Sequence, residues 1–207
     1  MGDRRLVLIL GGARSGKSEF AEAMAAAMGG RVTYIATLAA GDPEMARRIA
    51  AHRERRPKEW ITVEEARDVP REIESAGKES GVLLVDCLTG WISNLLLDES
   101  LPFPGASDPE KEAYVEARVK DLALAAAGSG ASVIIVSNEA GMGLVPPYPL
   151  GRLFRDVSGK ANRYLASLAD EVYLVVAGLA VEIKSLAKAP WAGIKGEDSE
   201  LRTQNSE

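Results

Sequence analysis

The chain has 207 residues, 46% of them apolar and 27% charged, with a net charge of −5. That length suits one domain with a sizeable core, and the acidic balance argues against a general nucleic-acid or membrane-surface role. One cysteine, Cys87, excludes an internal disulfide framework and a multi-cysteine zinc site.

In chain order, RLVLIL (5–10) reads as a strand. It is too short for a signal peptide or a membrane span, so a cytoplasmic protein with no membrane insertion is expected. KSEFAEAMAAAM follows with helical spacing and stops at Gly29-Gly30. RVTYIAT (31–37) is a second strand. GDPEMARRIAAHRERRP predicts a helix with Asp42 as N-cap, Pro43 at its first position and Pro57 as its stop.

ITVE (61–64) is a candidate short strand, and GVLLVDC (81–87) a buried one, followed by a helical stretch around 88–98. LPFPGASDP (101–109) reads as a surface loop before the helix PEKEAYVEARVKDLALAAA. ASVIIVS (131–137), the helix LGRLFRDVSGKANRYLASLA and EVYLVVA (171–177) complete the alternation. The pattern predicts an α/β fold: a mostly parallel sheet with helices on both faces, over residues 1–184. The polar tail over 185–207 is expected to be partly disordered.

The chemistry begins between the first strand and first helix. Gly11, Gly12, Ala13, Arg14, Ser15, Gly16, Lys17 and Ser18 fit G-x-x-x-x-G-K-[ST]. Glycines let backbone N–H groups turn inward onto phosphate oxygens, and the helix N-terminus adds a favourable dipole. Lys17 is placed to reach the β- and γ-phosphates, and the Ser18 hydroxyl to ligate Mg2+. The acidic partner of such a loop is Asp86, ending VLLVD, as a second magnesium ligand. Asp86 also suits the N-cap of the next helix, and the two roles are compatible. Cys87 beside it reads as a small buried hydrophobe.

His52 is the only histidine, set among cations: Arg48 lies one turn before it, Arg55 and Arg56 one turn after. It is either a half-buried member of the apolar face or a working imidazole. Positive neighbours disfavour its protonation, and a neutral imidazole can attack phosphorus. Arginine forks also suit phosphate.

Five stretches carry a resemblance: GGARSGKS, YIAT (34–37), H-x-x-x-RP-x-x-W-x-T-x-E (52–64), VDCLTGWISNLL (85–96) and SNEAGMGLVP (137–146). In this order they are similar to the bifunctional adenosylcobinamide kinase / adenosylcobinamide-phosphate guanylyltransferase family. The resemblance implies a phosphate-loop NTPase-like fold, ATP and GTP as substrates with Mg2+, and adenosylcobinamide and its phosphate as acceptors. It implies a P–N bond from His52 to GMP, a homotrimer, and a role in assembling the nucleotide loop of cobalamin. It also implies nucleotide contacts from Ala36, Thr37, Leu38, Arg53, Glu54, Arg55, Arg56, Glu64 and Asp86.

Residues 36–38 lie just past a strand's carboxyl end, where ligands bind in open α/β sheets. Glu64 suits a guanine edge or a ribose, and equally a plain surface position. SNEAGMGLVPPYP is either an active-site loop receiving the corrinoid or a rigid connection. Outside the resemblance, a GTPase or ATPase switch acting on a protein partner remains the alternative.

Overall fold

Apolar runs too uniform to leave one face in water become strands covered on both sides, and the short mixed runs ITVE and LAVE become the two sheet edges. In a computed structural model, which describes residues 4–38 and 57–187, they form β1 (Leu6–Gly11), β2 (Val32–Ala36), β3 (Ile61–Glu64), β4 (Val82–Asp86), β5 (Ser132–Asn138), β6 (Glu171–Val176) and β7 (Leu179–Glu182). One sheet holds them in the order β3-β2-β4-β5-β1-β6-β7. Neighbours are parallel except β6 and β7, which run antiparallel.

The described helices are α1 (Lys17–Met28), α2 (Val69–Ala76), α3 (Leu88–Leu97), α4 (Asp108–Gly128) and α5 (Pro149–Leu168). Strand alternation sorts the core. Val7, Ile9, Leu84, Ile134 and Val136 pack with Ala21 and Ala25 of α1 on one face. Leu8, Leu83, Val85, Val133 and Ile135 pack with α2 to α5 on the other, around the buried Trp91. Small alanines let α1 lie close to the strands.

The first helix starts and stops as its sequence predicts. The loop before α4 ends in a capping box, Ser107 with Glu110, which fixes the helix start. Two elements go beyond those that the sequence pattern predicts, the short α2 and the edge strand β7. No helix among the described residues is long and apolar enough to cross a membrane.

Strands β2 to β5 lie on one side of β1, and β6 with β7 on the other. The carboxyl end of β1 is therefore a topological switch point, the place where open α/β sheets bind ligands.

Candidate active site

The loop after β1 turns sharply because two of its residues take positive φ, Arg14 at 58° and Gly16 at 93°. At Gly16 a side chain is excluded twice over. The φ is left-handed, and a Cβ would lie 3.1 Å from Gly178 Cα. Gly11 is as constrained, since a Cβ there would meet Ser15 Oγ at 2.5 Å and the Val175 carbonyl at 2.7 Å. The Gly178 N–H donates to Ser15 O at 2.8 Å, so the β6–β7 turn holds the loop from outside. Lys17 is buried, and its Nζ donates to Gly12 O at 3.1 Å, folding the ammonium over the loop. Ser18 follows, half-buried in the first turn of α1.

Asp86 ends β4 in register with Ala36 of β2, and Ala36 is in register with Glu64 of β3. The predicted residues Ala36, Glu64 and Asp86 thus share one level of the carboxyl edge. Asp86 is half-buried and takes a 2.7 Å hydrogen bond from the buried Tyr34 hydroxyl. It does not cap α3. Cys87 occupies that position, and its Sγ accepts from Gly90 N–H at 3.3 Å. Burial above all, then the Asp86 charge, pushes the Cys87 thiol up, so it stays neutral and unreactive.

Thr37 is fully buried and clamps this junction, donating to Cys87 O at 2.7 Å and accepting from Cys87 N–H at 2.8 Å. Leu38, more exposed, lies over Gly90, where a Cβ would come 2.7 Å from its Cδ2. Asn94, outside the predicted site, donates to Thr37 O at 2.7 Å and Ala66 O at 3.1 Å, joining β2 and the segment after β3 to α3. An amide in the apolar run WISNLLL is the available signal, because a polar group inside such a helix needs buried partners.

Beside the phosphate loop, Asn138 at the end of β5 is in register with Gly11. Its Nδ2 donates to Thr89 Oγ1 at 2.7 Å, and its carbonyl accepts from Asn162 Nδ2 at 3.1 Å. Glu139 N–H then donates to Gly11 O at 3.0 Å. The loop continues with Met142, Leu144 and Val145 strongly exposed, and Arg152 ties its far end by donating to Pro146 O and Pro147 O. It is a braced segment.

His52, Arg53, Glu54, Arg55 and Arg56, with Arg48 and the helix expected around them, lie outside the described residues. The described residues contain no group of three or more His, Cys, Asp or Glu side chains able to cage a metal. Magnesium on a nucleotide needs only one or two protein ligands, because phosphates and water supply the rest. Ser18 and Asp86 provide hard oxygen donors of that kind, so the donor chemistry fits.

The model for cobinamide kinase / cobinamide phosphate guanyltransferase matches residues 7–183. The bifunctional adenosylcobalamin biosynthesis protein CobU of Escherichia coli strain K12 is 41% identical over 185 residues, covering 86% of this chain and 99% of its own. Its counterpart CobP of Pseudomonas aeruginosa is 45% identical over 177 residues, covering 86% and 96%. Among solved structures, a prototypical ATPase from the type III secretion system of pathogenic bacteria aligns at TM-score 0.52 with 10% identity. That alignment covers 92% of this chain and 61% of the ATPase, and supports the fold alone.

Proposed function

We propose, from the premise that this chain belongs to the cobinamide kinase / cobinamide phosphate guanyltransferase family, that it carries both activities. It phosphorylates the aminopropanol hydroxyl of adenosylcobinamide, then transfers GMP from GTP to give adenosylcobinamide-GDP. The observation that carries this reading is the phosphate loop at the switch point, with Lys17 folded over it and Asp86 on the same sheet edge.

In the kinase step the loop's N–H groups and Lys17 hold the nucleotide's phosphates and offset charge on the transferring group. Ser18 and Asp86 would hold the magnesium, which neutralises phosphate charge when bound. Tyr34 fixes the orientation of the Asp86 carboxylate. Thr37, Leu38 and Glu64 stand further along the same edge, and this reading assigns them the nucleoside end of the substrate.

In the guanylyl step His52 attacks the α-phosphorus of GTP. A P–N bond forms, the α–β bridging oxygen leaves with pyrophosphate, and Arg53, Arg55 and Arg56 stabilise that charge. The phosphate of adenosylcobinamide-phosphate then attacks the same phosphorus and frees the imidazole. The corrinoid lies against the braced 139–148 loop, which starts at the Glu139–Gly11 bond beside the phosphate loop and exposes the apolar Met142, Leu144 and Val145. We take the assembly to be a homotrimer, as the family resemblance implies.

Incubation with α-labelled GTP, followed by denaturation, tests the scheme. The wild-type chain should retain label in an acid-labile, base-stable bond. His52→Ala should lose the label and the transferase activity while keeping kinase activity. A hydrolytic switch would retain no α-label at all, and label surviving in His52→Ala would place the nucleophile elsewhere.

A further inference from the structure

Phosphoryl transfer to an alcohol leaves one task unassigned among the residues above, the removal of the hydroxyl proton. The transferring phosphate sits at the loop after β1, so a base has to reach that point. Strands are spaced about 4.8 Å apart. Glu64, four strands from β1, stands roughly 19 Å away across the sheet, and Asp86, two strands away, roughly 10 Å. Asp86 is also engaged by Tyr34 and by the metal role. Glu65 accepts from the N–H groups of Arg67 and Asp68, and Glu19 is exposed on α1.

Glu139 is differently placed. It is the first residue beyond β5, the strand that pairs directly with β1, and its own N–H is bonded to Gly11 O. The backbone just before it is fixed from two further sides, by Asn162 on the Asn138 carbonyl and by the Asn138 side chain on Thr89. The residue is half-buried, and its carboxylate, open to solvent, accepts from Gly141 N–H through Oε1 at 3.0 Å. A base held on braced backbone at the mouth of the phosphate site keeps its geometry through turnover.

We propose that Glu139 is the general base of the kinase step, accepting the proton of the acceptor hydroxyl. The proposal rests on the kinase reading above. As the hydroxyl oxygen bonds to the γ-phosphorus, its O–H electron pair stays with that oxygen and the proton passes to Glu139. The bond from the γ-phosphorus to the β–γ bridging oxygen breaks, its electron pair leaves with the nucleoside diphosphate, and Glu139 later releases the proton to water.

Glu139→Gln separates this role from loop support, because the amide oxygen still accepts from Gly141 N–H but cannot take a proton. Kinase kcat on adenosylcobinamide should fall by about 10²–10⁴-fold, while KM for the acceptor and affinity for Mg-GTP stay within a few-fold of wild type. Covalent α-label from GTP should be unchanged. Wild-type kcat in Glu139→Gln would overturn the proposal, and so would a parallel loss of GTP affinity, which would mark a structural role. Glu139→Asp, which shortens the reach but keeps the carboxylate, should recover part of the lost kcat. No such recovery would also count against it. Absence of phosphate transfer in the wild-type chain would instead sink the kinase reading itself.

Discussion

Tyr34 and Asp86 stand on adjacent parallel strands, and the phenol donates to the carboxylate at 2.7 Å with the ring 2% exposed. Tyr34 therefore acts on whatever Asp86 binds without touching it. Outer partners of metal ligands typically govern 10–100-fold in metal affinity. Tyr34→Phe keeps the ring in the core and deletes only the donor. The magnesium concentration for half-maximal kinase activity should rise by about 10–100-fold, with saturated kcat little changed. An unaltered magnesium requirement would remove Asp86 from the metal site. In the sequence Tyr34 is one member of the stretch YIAT, and its role is not legible there. That role depends on strand pairing between residues 52 positions apart, which no local spacing encodes.

At the scale of elements, the strands are legible wherever burial on both faces forces an unbroken apolar run, as in VLILG and SVIIV. β7 escapes because its turn is Ala177-Gly178, both at positive φ. Two-residue hairpins signal themselves through Asn-Gly or Asp-Gly, and alanine at the first position hides the turn. Helix α2 escapes because its apolar positions, Val69, Ile73 and Ala76, fall within only eight residues, shorter than the stretch over which a helical period declares itself. The segment after β5 is legible as a motif, but the sequence leaves its role between a rigid connection and a substrate loop. Its bonds at both ends, to Gly11 and from Arg152, make it braced. Its exposed Leu144 and Val145, at 96% and 64%, give it something to bind. Leu144→Ser with Val145→Ser should raise KM for adenosylcobinamide roughly tenfold or more, since deleting an apolar side chain from a binding surface costs on the order of 1.5 kcal/mol. Adduct formation from GTP alone should not change. Equal effects on both reactions would show that the loop only shapes the nucleotide site.

Across the whole molecule, the phosphate loop is a junction of the sheet rather than an appendage. Glu139 N–H on Gly11 O ties it to β5, Gly178 N–H on Ser15 O ties it to the β6–β7 turn, and Phe20 N–H on Gly16 O begins α1. A nucleotide that orders this junction stabilises every strand it joins, and because it binds only the folded chain the gain follows mass action. At one hundred times its dissociation constant, Mg-GTP should stabilise the fold by about 2.7 kcal/mol. For a domain of this size that corresponds to a rise in Tm of about 5–11 °C. The measurement belongs on His52→Ala protein, where no covalent adduct complicates the equilibrium. Adding Lys17→Ala to that background removes the buried cation folded over the loop, so the shift should collapse at the same GTP concentration. Chelation of magnesium should reduce it in the protein that carries His52→Ala alone. A shift of full size in the Lys17→Ala protein would mean that the nucleotide binds away from the switch point, and the kinase and transferase steps would both need another site.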